Sequence, residues 1–126
     1  ELSTVKQYRL PVKIFILNNR YMGMVRQWQE FFHEGRYSES YTDSLPDFVK
    51  LAESYDIKGV RATKLDDLEQ VIGDMIDYDG PVIADICVDE KENVFPMIPS
   101  GAAHNEMKLK DSDKIATSTK EGEMLV

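Results

Sequence analysis

The stretch Val12 to Phe32, VKIFILNNRYMGMVRQWQEFF, constrains the fold of this chain more than any other. Val12, Ile14, Phe15, Ile16 and Leu17 form a short apolar run rich in β-branched residues, bounded by Pro11 and by Asn18-Asn19. That pattern predicts a parallel strand covered on both faces. Beyond the asparagines a helix enters through Gly23, and Met24, Val25, Trp28, Phe31 and Phe32 recur as a single apolar stripe along it. Asparagine is a poor strand former, so propensity does not account for two of them at the end of a buried strand. In open α/β sheets the carboxyl ends of the strands are where ligands bind.

The remaining segments repeat the same two patterns. Glu1 to Tyr8 is helix-forming, and Leu10-Pro11 ends it. After the Trp28 helix, Glu34 to Leu45 reads as a polar and aromatic loop. Pro46 then suits the first turn of a helix that turns Phe48, Val49, Leu51, Ala52 and Tyr55 inward. Ile57 to Thr63 alternates as a short strand, and Thr63 with Asp66 resembles a capping box. The helix behind it buries Leu65, Leu68, Val71, Ile72, Met75 and Ile76. Asp79-Gly80-Pro81 breaks that helix and Val82 to Val88 forms another buried strand. The order (α)-β-α-α-β-α-β calls for an α/β fold, a three-layer parallel sheet with helices on both faces. From residue 90 the chain turns polar and proline-containing, so 1–89 reads as the folded portion and 90–126 as an irregular tail, much of it mobile.

Composition narrows the function. With 126 residues there is room for one modest core. A net charge of −8 leaves no basic face for nucleic acid. Cys87, inside an apolar run, has no partner for a disulfide and no Cys/His cluster for a metal. There is no signal peptide and no run of membrane-spanning length, so a soluble chain in a reducing cytoplasm is expected, with no membrane partner.

His33 and His104 sit in no recognisable triad, and GxGxxG and P-loop motifs are absent. Most acidic residues read as solvated surface. The constellation with chemical promise is Asn18-Asn19 followed by Gly23-Met24. An asparagine carbonyl is a neutral oxygen donor suited to Mg²⁺, and a helix starting at Gly23 would aim N–H groups and its positive dipole end at an anion. The residues alone leave open a plainer reading, in which the asparagines form a turn that caps the helix.

The segment from Glu1 to Phe32 resembles the second half of the thiamine-diphosphate motif, which ends in a double asparagine. GMVRQWQEFF, the later RYS, PDFVKLAE and GPVIADICVD narrow the resemblance to the acetolactate synthase (acetohydroxyacid synthase) catalytic subunit, from Glu1 to about Ala103. The resemblance implies a thiamine-diphosphate-binding fold and two cofactors, thiamine diphosphate and Mg²⁺. It implies that the Asn19 side chain and the Tyr21 main-chain carbonyl ligate the metal. Gly23, Met24 and Val25 would pack against the cofactor and Trp28 would line the substrate channel, where core packing is the plainer role for Met24 and Trp28. Asn18 would stabilise the turn, and by position Phe32 and residues 94–103 would close the pocket.

The implied reaction condenses pyruvate with a second 2-keto acid to 2-acetolactate or 2-aceto-2-hydroxybutyrate, with loss of carbon dioxide. A homo-oligomer and a regulatory small subunit are implied partners. The motif's Gly-Asp-Gly-like segment and the family's catalytic glutamate are not in these residues. The expectation is therefore a domain truncated at its N-terminus, inactive alone, whose Val12–Leu17 strand exposes a pairing edge. Two other classes fit less of the pattern: another thiamine-diphosphate enzyme, of the pyruvate oxidase or 2-keto acid decarboxylase type, and a non-catalytic α/β interaction module.

Overall fold

A computed structural model describes residues 1–111; the end of the expected tail, 112–126, lies outside them. The elements are α1 (Leu2–Tyr8), β1 (Lys13–Asn18), α2 (Gly23–Phe32), α3 (Phe48–Ser54), β2 (Lys58–Ala62), α4 (Leu65–Asp77) and β3 (Val82–Cys87), followed by a 3-10 turn at His104–Glu106. They form two compact units. One comprises residues 1–20 and 43–90, the other residues 21–42 and those from 91 onward. The grouping differs from a simple division at residue 89, because α2 and the loop after it belong with the segment that follows β3.

The first unit holds a three-stranded parallel sheet in the order β1-β3-β2. Placing β3 in the middle buries it from Val82 to Ile86, which its continuous apolar run allows. Side chains alternate across it. Ile83 joins Val5 of α1, Ala52 of α3 and Ile57 in one core cluster, with Ile14 and Ile16 packed against it. Val82, Ala84 and Ile86 join Met75 of α4 and Ala62 on the other face. Helices therefore cover both faces, and the three-layer α/β reading holds.

Three local expectations need correction. β1 exposes a pairing edge as expected, but it is not covered on both faces: Phe15 and Leu17 are 44% and 69% exposed. The α4 core gathers around Ala62 and β3, and does not extend over these two side chains. On α4 itself, Leu65 and Ile76 lie outside, since one sheet face takes in only the Leu68, Val71, Ile72 and Met75 arc of a straight helix. The starts of α3 and α4 also differ. Asp47, not Pro46, begins α3, because its carboxylate accepts the Val49 and Lys50 N–H groups. No capping box forms at α4, whose first flanking residue is Lys64.

α3 seats closely on β2 because residue 59 lacks a side chain. A Cβ there would lie 2.9 Å from the Val49 Cα and carbonyl oxygen. Gly59→Ala should lower unfolding stability by about 1–3 kcal/mol, as backbone is forced apart; chemical denaturation checks this, and an unchanged midpoint would contradict the packing.

Candidate functional site

In the first unit, the carboxyl end of the sheet carries a chain of polar groups that runs across all three strands. Ile14, Ile16 and Asn18 share one face of β1, Ile83 and Asp85 the same face of β3, and Gly59 and Arg61 that of β2. The apolar members fill the core and the last member of each row is polar. Asp85 is 2% exposed. It accepts from Asn18 Nδ2 at 2.9 Å and from Arg61 Nε at 2.9 Å. Arg61 also donates to Asp47 at 2.8 Å. Asn18 Oδ1 accepts the Arg20 N–H at 3.1 Å, closing the turn after the strand; this is the turn-stabilising role expected of Asn18. These residues and Cys87 border an open polar hollow of about 360 Å³. Cys87 is exposed as the last residue of β3, outside the apolar core in which its sequence context had put it.

Hydrogen bonding to Asp85, ahead of that to Asp47, raises the Arg61 pKa against the opposing effect of burial, so it stays charged. The N–H of Lys50 and then the Arg61 guanidinium hold the Asp47 carboxyl below its ordinary value of 3.8.

In the second unit α2 turns its polar face inward and leaves its apolar stripe outside. Its buried residues are Arg26 and Gln27, while Met24, Val25 and Trp28 are 50%, 45% and 39% exposed. The polar face wins because it meets backbone that needs partners. Gln27 accepts the Val94 N–H at 2.6 Å and donates to the Val94 carbonyl at 3.2 Å. Arg26 pairs with Glu30 at 2.8 Å and lies over the rings of Tyr21 and Tyr37. Burial and the Glu30 carboxylate raise the Tyr37 phenol above its ordinary 10.0. The outward face leaves a shallow, largely apolar hollow of about 430 Å³ lined by Met24, Val25, Trp28, Gln29 and His33. Trp28 stacks at 4.9 Å on Phe32. Core packing is thereby removed as the role of Met24 and Trp28 in the described residues.

The expected site residues thus fall in both units. Asn19 lies in the first, half-buried between Asn18 and Arg20. Tyr21 begins the second, opposite Tyr41 in an antiparallel bridge in which Met22 N–H reaches Ser40 O. In such a non-hydrogen-bonded pair the Tyr21 carbonyl points away from Tyr41. Gly23 starts α2, and Met22 before it offers no capping side chain. Ser40, beside that start, is 1% exposed and its hydroxyl finds no partner among the described residues.

Residues 1–86 match the family described as "Thiamine pyrophosphate enzyme, C-terminal TPP binding domain". The chain belongs to this family. Among curated members, it is 45% identical over 107 residues to the acetolactate synthase isozyme 2 large subunit of Escherichia coli K12, covering 85% of this chain and 20% of that one. It is 47% identical over 108 residues to the acetolactate synthase large subunit of Pyropia yezoensis, covering 85% of this chain and 18% of the relative. The chain spans about a fifth of the length of these relatives. A solved structure, the thiamine diphosphate-dependent 4-hydroxybenzoylformate decarboxylase of Rhodococcus jostii RHA1, superposes with a TM-score of 0.61 at 28% identity, over 73% of this chain and 17% of that one.

The residues of this TPP binding domain fit the group its family is described by. An asparagine amide and a main-chain carbonyl are hard neutral oxygens of the kind Mg²⁺ takes. Asn18 is committed at both ends to Asp85 and Arg20. The uncapped start of α2 and the unpartnered Ser40 hydroxyl suit an anionic group. Sequence reasoning missed Asp85, Arg61 and Gln27. Asp85 had a signal: a carboxylate inside an apolar run must find partners or not be there.

Two outcomes follow. Gln27→Leu strands the Val94 N–H and should cost about 1–3 kcal/mol in a denaturation midpoint. Lowered below 3.8 in the folded state, the Asp47 carboxyl contributes stability that is complete above that value and is lost as pH falls through the folded one. Urea midpoints measured from about pH 6 to about pH 3 should fall less steeply for Asp47→Asn than for the unaltered chain.

Proposed function

We propose that this chain is the cofactor-binding portion of a thiamine-diphosphate- and Mg²⁺-dependent carboligase of the acetolactate synthase type, which joins pyruvate to a second 2-keto acid with loss of carbon dioxide. The observation that carries the reading is the orientation of α2. A helix that buries Arg26 and Gln27 while exposing Met24, Val25 and Trp28 has an apolar face available to a ligand. The Asn19 side chain and the Tyr21 main-chain carbonyl hold the metal in this reading. Gly23, Met24 and Val25 form the wall against the cofactor and Trp28 lines the approach of the acceptor acid. When bound, thiamine diphosphate supplies the carbanion chemistry, and the protein supplies orientation and a pocket from which water is excluded.

Identities of 45% and 47% to acetolactate synthases, against 28% to a decarboxylase, favour the carboligase over a simple decarboxylase. Relatives named as large subunits support assembly with a small regulatory subunit. Subunit copies of this chain, and residence in the cytoplasm, belong to the same reading.

Calorimetric titration with thiamine diphosphate and Mg²⁺ tests it. Binding should weaken on the order of tenfold or more in Asn19→Ala, whereas Asn18→Ala should act mainly through turn stability. Equal affinity for the Asn19→Ala and unaltered chains would remove Asn19 from the metal site.

A further inference from the structure

Asp85 is the buried carboxylate for which the proposed cofactor site has no direct use. It sits buried in the central strand at the floor of the polar hollow, and each of its oxygens has one protein donor: Asn18 Nδ2 on β1 and Arg61 Nε on β2. A carboxylate only accepts, so the Asn18 amide must turn its nitrogen toward Asp85. Its oxygen then faces the following chain, where it takes the Arg20 N–H at 3.1 Å. Arg20 has φ 58°, in the left-handed region that a non-glycine residue holds only when its surroundings impose it. The shape of the turn that carries Asn19 is therefore set by the polarity of a side chain on the neighbouring strand.

We propose that Asp85 is a positioning residue for the metal-bearing turn: clamped by Arg61, its carboxylate fixes the orientation of the Asn18 amide and through it the turn from which Asn19 reaches Mg²⁺. The inference rests on the metal-binding role of Asn19. A purely structural Asp85, present only to neutralise Arg61, makes a different prediction. In Asp85→Asn the new amide has one acceptor and one donor end. Arg61 only donates and claims the oxygen, so the amide nitrogen faces Asn18 and forces that side chain to flip. Two N–H donors then confront each other at Arg20 and the turn bond is lost. The exchanged pair Asn18→Asp with Asp85→Asn restores every donor and acceptor at unchanged net charge: the carboxylate at 18 accepts from both the new amide and Arg20.

The experiment uses the 126-residue chain, the two single variants and the exchanged pair. Exchange of the Arg20 amide is followed by NMR without cofactor, urea midpoints report the fold, and affinity for thiamine diphosphate with Mg²⁺ is measured by calorimetry. Asp85→Asn should speed Arg20 exchange roughly tenfold and weaken cofactor binding, Asn18→Asp should lower the urea midpoint by setting two carboxylates against each other, and the exchanged pair should recover all three. Unchanged Arg20 exchange in Asp85→Asn overturns the proposal. So do losses that add in the exchanged pair, in exchange or in urea midpoint, because a mere counter-charge for Arg61 gives no rescue. Should the unaltered chain bind no cofactor, the reading of Asn19 fails separately, and Arg20 exchange with its rescue alone decides whether Asp85 sets the turn.

Discussion

β3 lies between β1 and β2 and is buried from Val82 to Ile86, so whatever it carries has to be satisfied from inside the sheet. Its apolar residues do this by filling two cores, one on each face. Its one charged residue does it by recruiting Arg61 and Asn18 from the two flanking strands. Leaving a carboxylate buried without such partners would cost several kcal/mol, on the order of the whole stability of a small domain. The register that pairs Arg61 with Asp85 and brings Asn18 near it is thus held by electrostatics as well as by backbone hydrogen bonds. The same network reaches the start of α3 through Asp47, which links the helix to the carboxyl end of the sheet.

The second unit works by a related exchange of roles between polar and apolar groups. A helix with a strong apolar stripe ordinarily hides it. In α2 the neighbouring segment from residue 91 onward presents unpaired backbone at Val94 and a side-chain amide at Asn93, and Gln27 and Arg26 answer it. A fully hydrogen-bonded polar face is stable inside, so the stripe can stay outside. Tyr21, Tyr37 and Arg26 stack to fix the helix's beginning to the loop that follows it. What remains exposed is a row of large side chains on a helix whose first N–H groups have no side-chain cap.

Much of this was legible in the sequence. All seven long elements, their order and their parallel sheet followed from period-2 and period-3.6 patterns, and the residues expected to turn inward on α3 are the ones that do. The asparagine pair was placed at the carboxyl end of β1, with Asn18 holding the turn. Periodicity failed where it was asked which side of an amphipathic element meets the protein. It reports the contrast between two faces, and that contrast is identical whether the apolar face meets a core, a ligand or water. Phe15 and Leu17 read as core and lie exposed for that reason, and Met24 and Trp28, for which core packing was only the plainer alternative, lie exposed as well. Asp85 was passed over because a single charge hardly alters the hydrophobic pattern of VIADICV, although it decides the polar chemistry of that strand's end.

The sequence alone determined which segments become strands and helices, since that is governed by spacing, β-branching and breakers acting over a few residues. It also determined that paired asparagines stand at a strand's carboxyl end ahead of a glycine-led helix, and the resemblance carried by GMVRQWQEFF and the later segments pointed to the family. Only the tertiary structure decided that Arg61, Asp85 and Asn18 meet, because residues far apart in the chain become neighbours only when β3 is inserted between β1 and β2. It likewise decided that α2 turns its polar face inward, because the groups that draw Gln27 and Arg26 are contributed by a segment more than sixty residues further along the chain, and their unmet hydrogen bonds outweigh the burial of the apolar stripe.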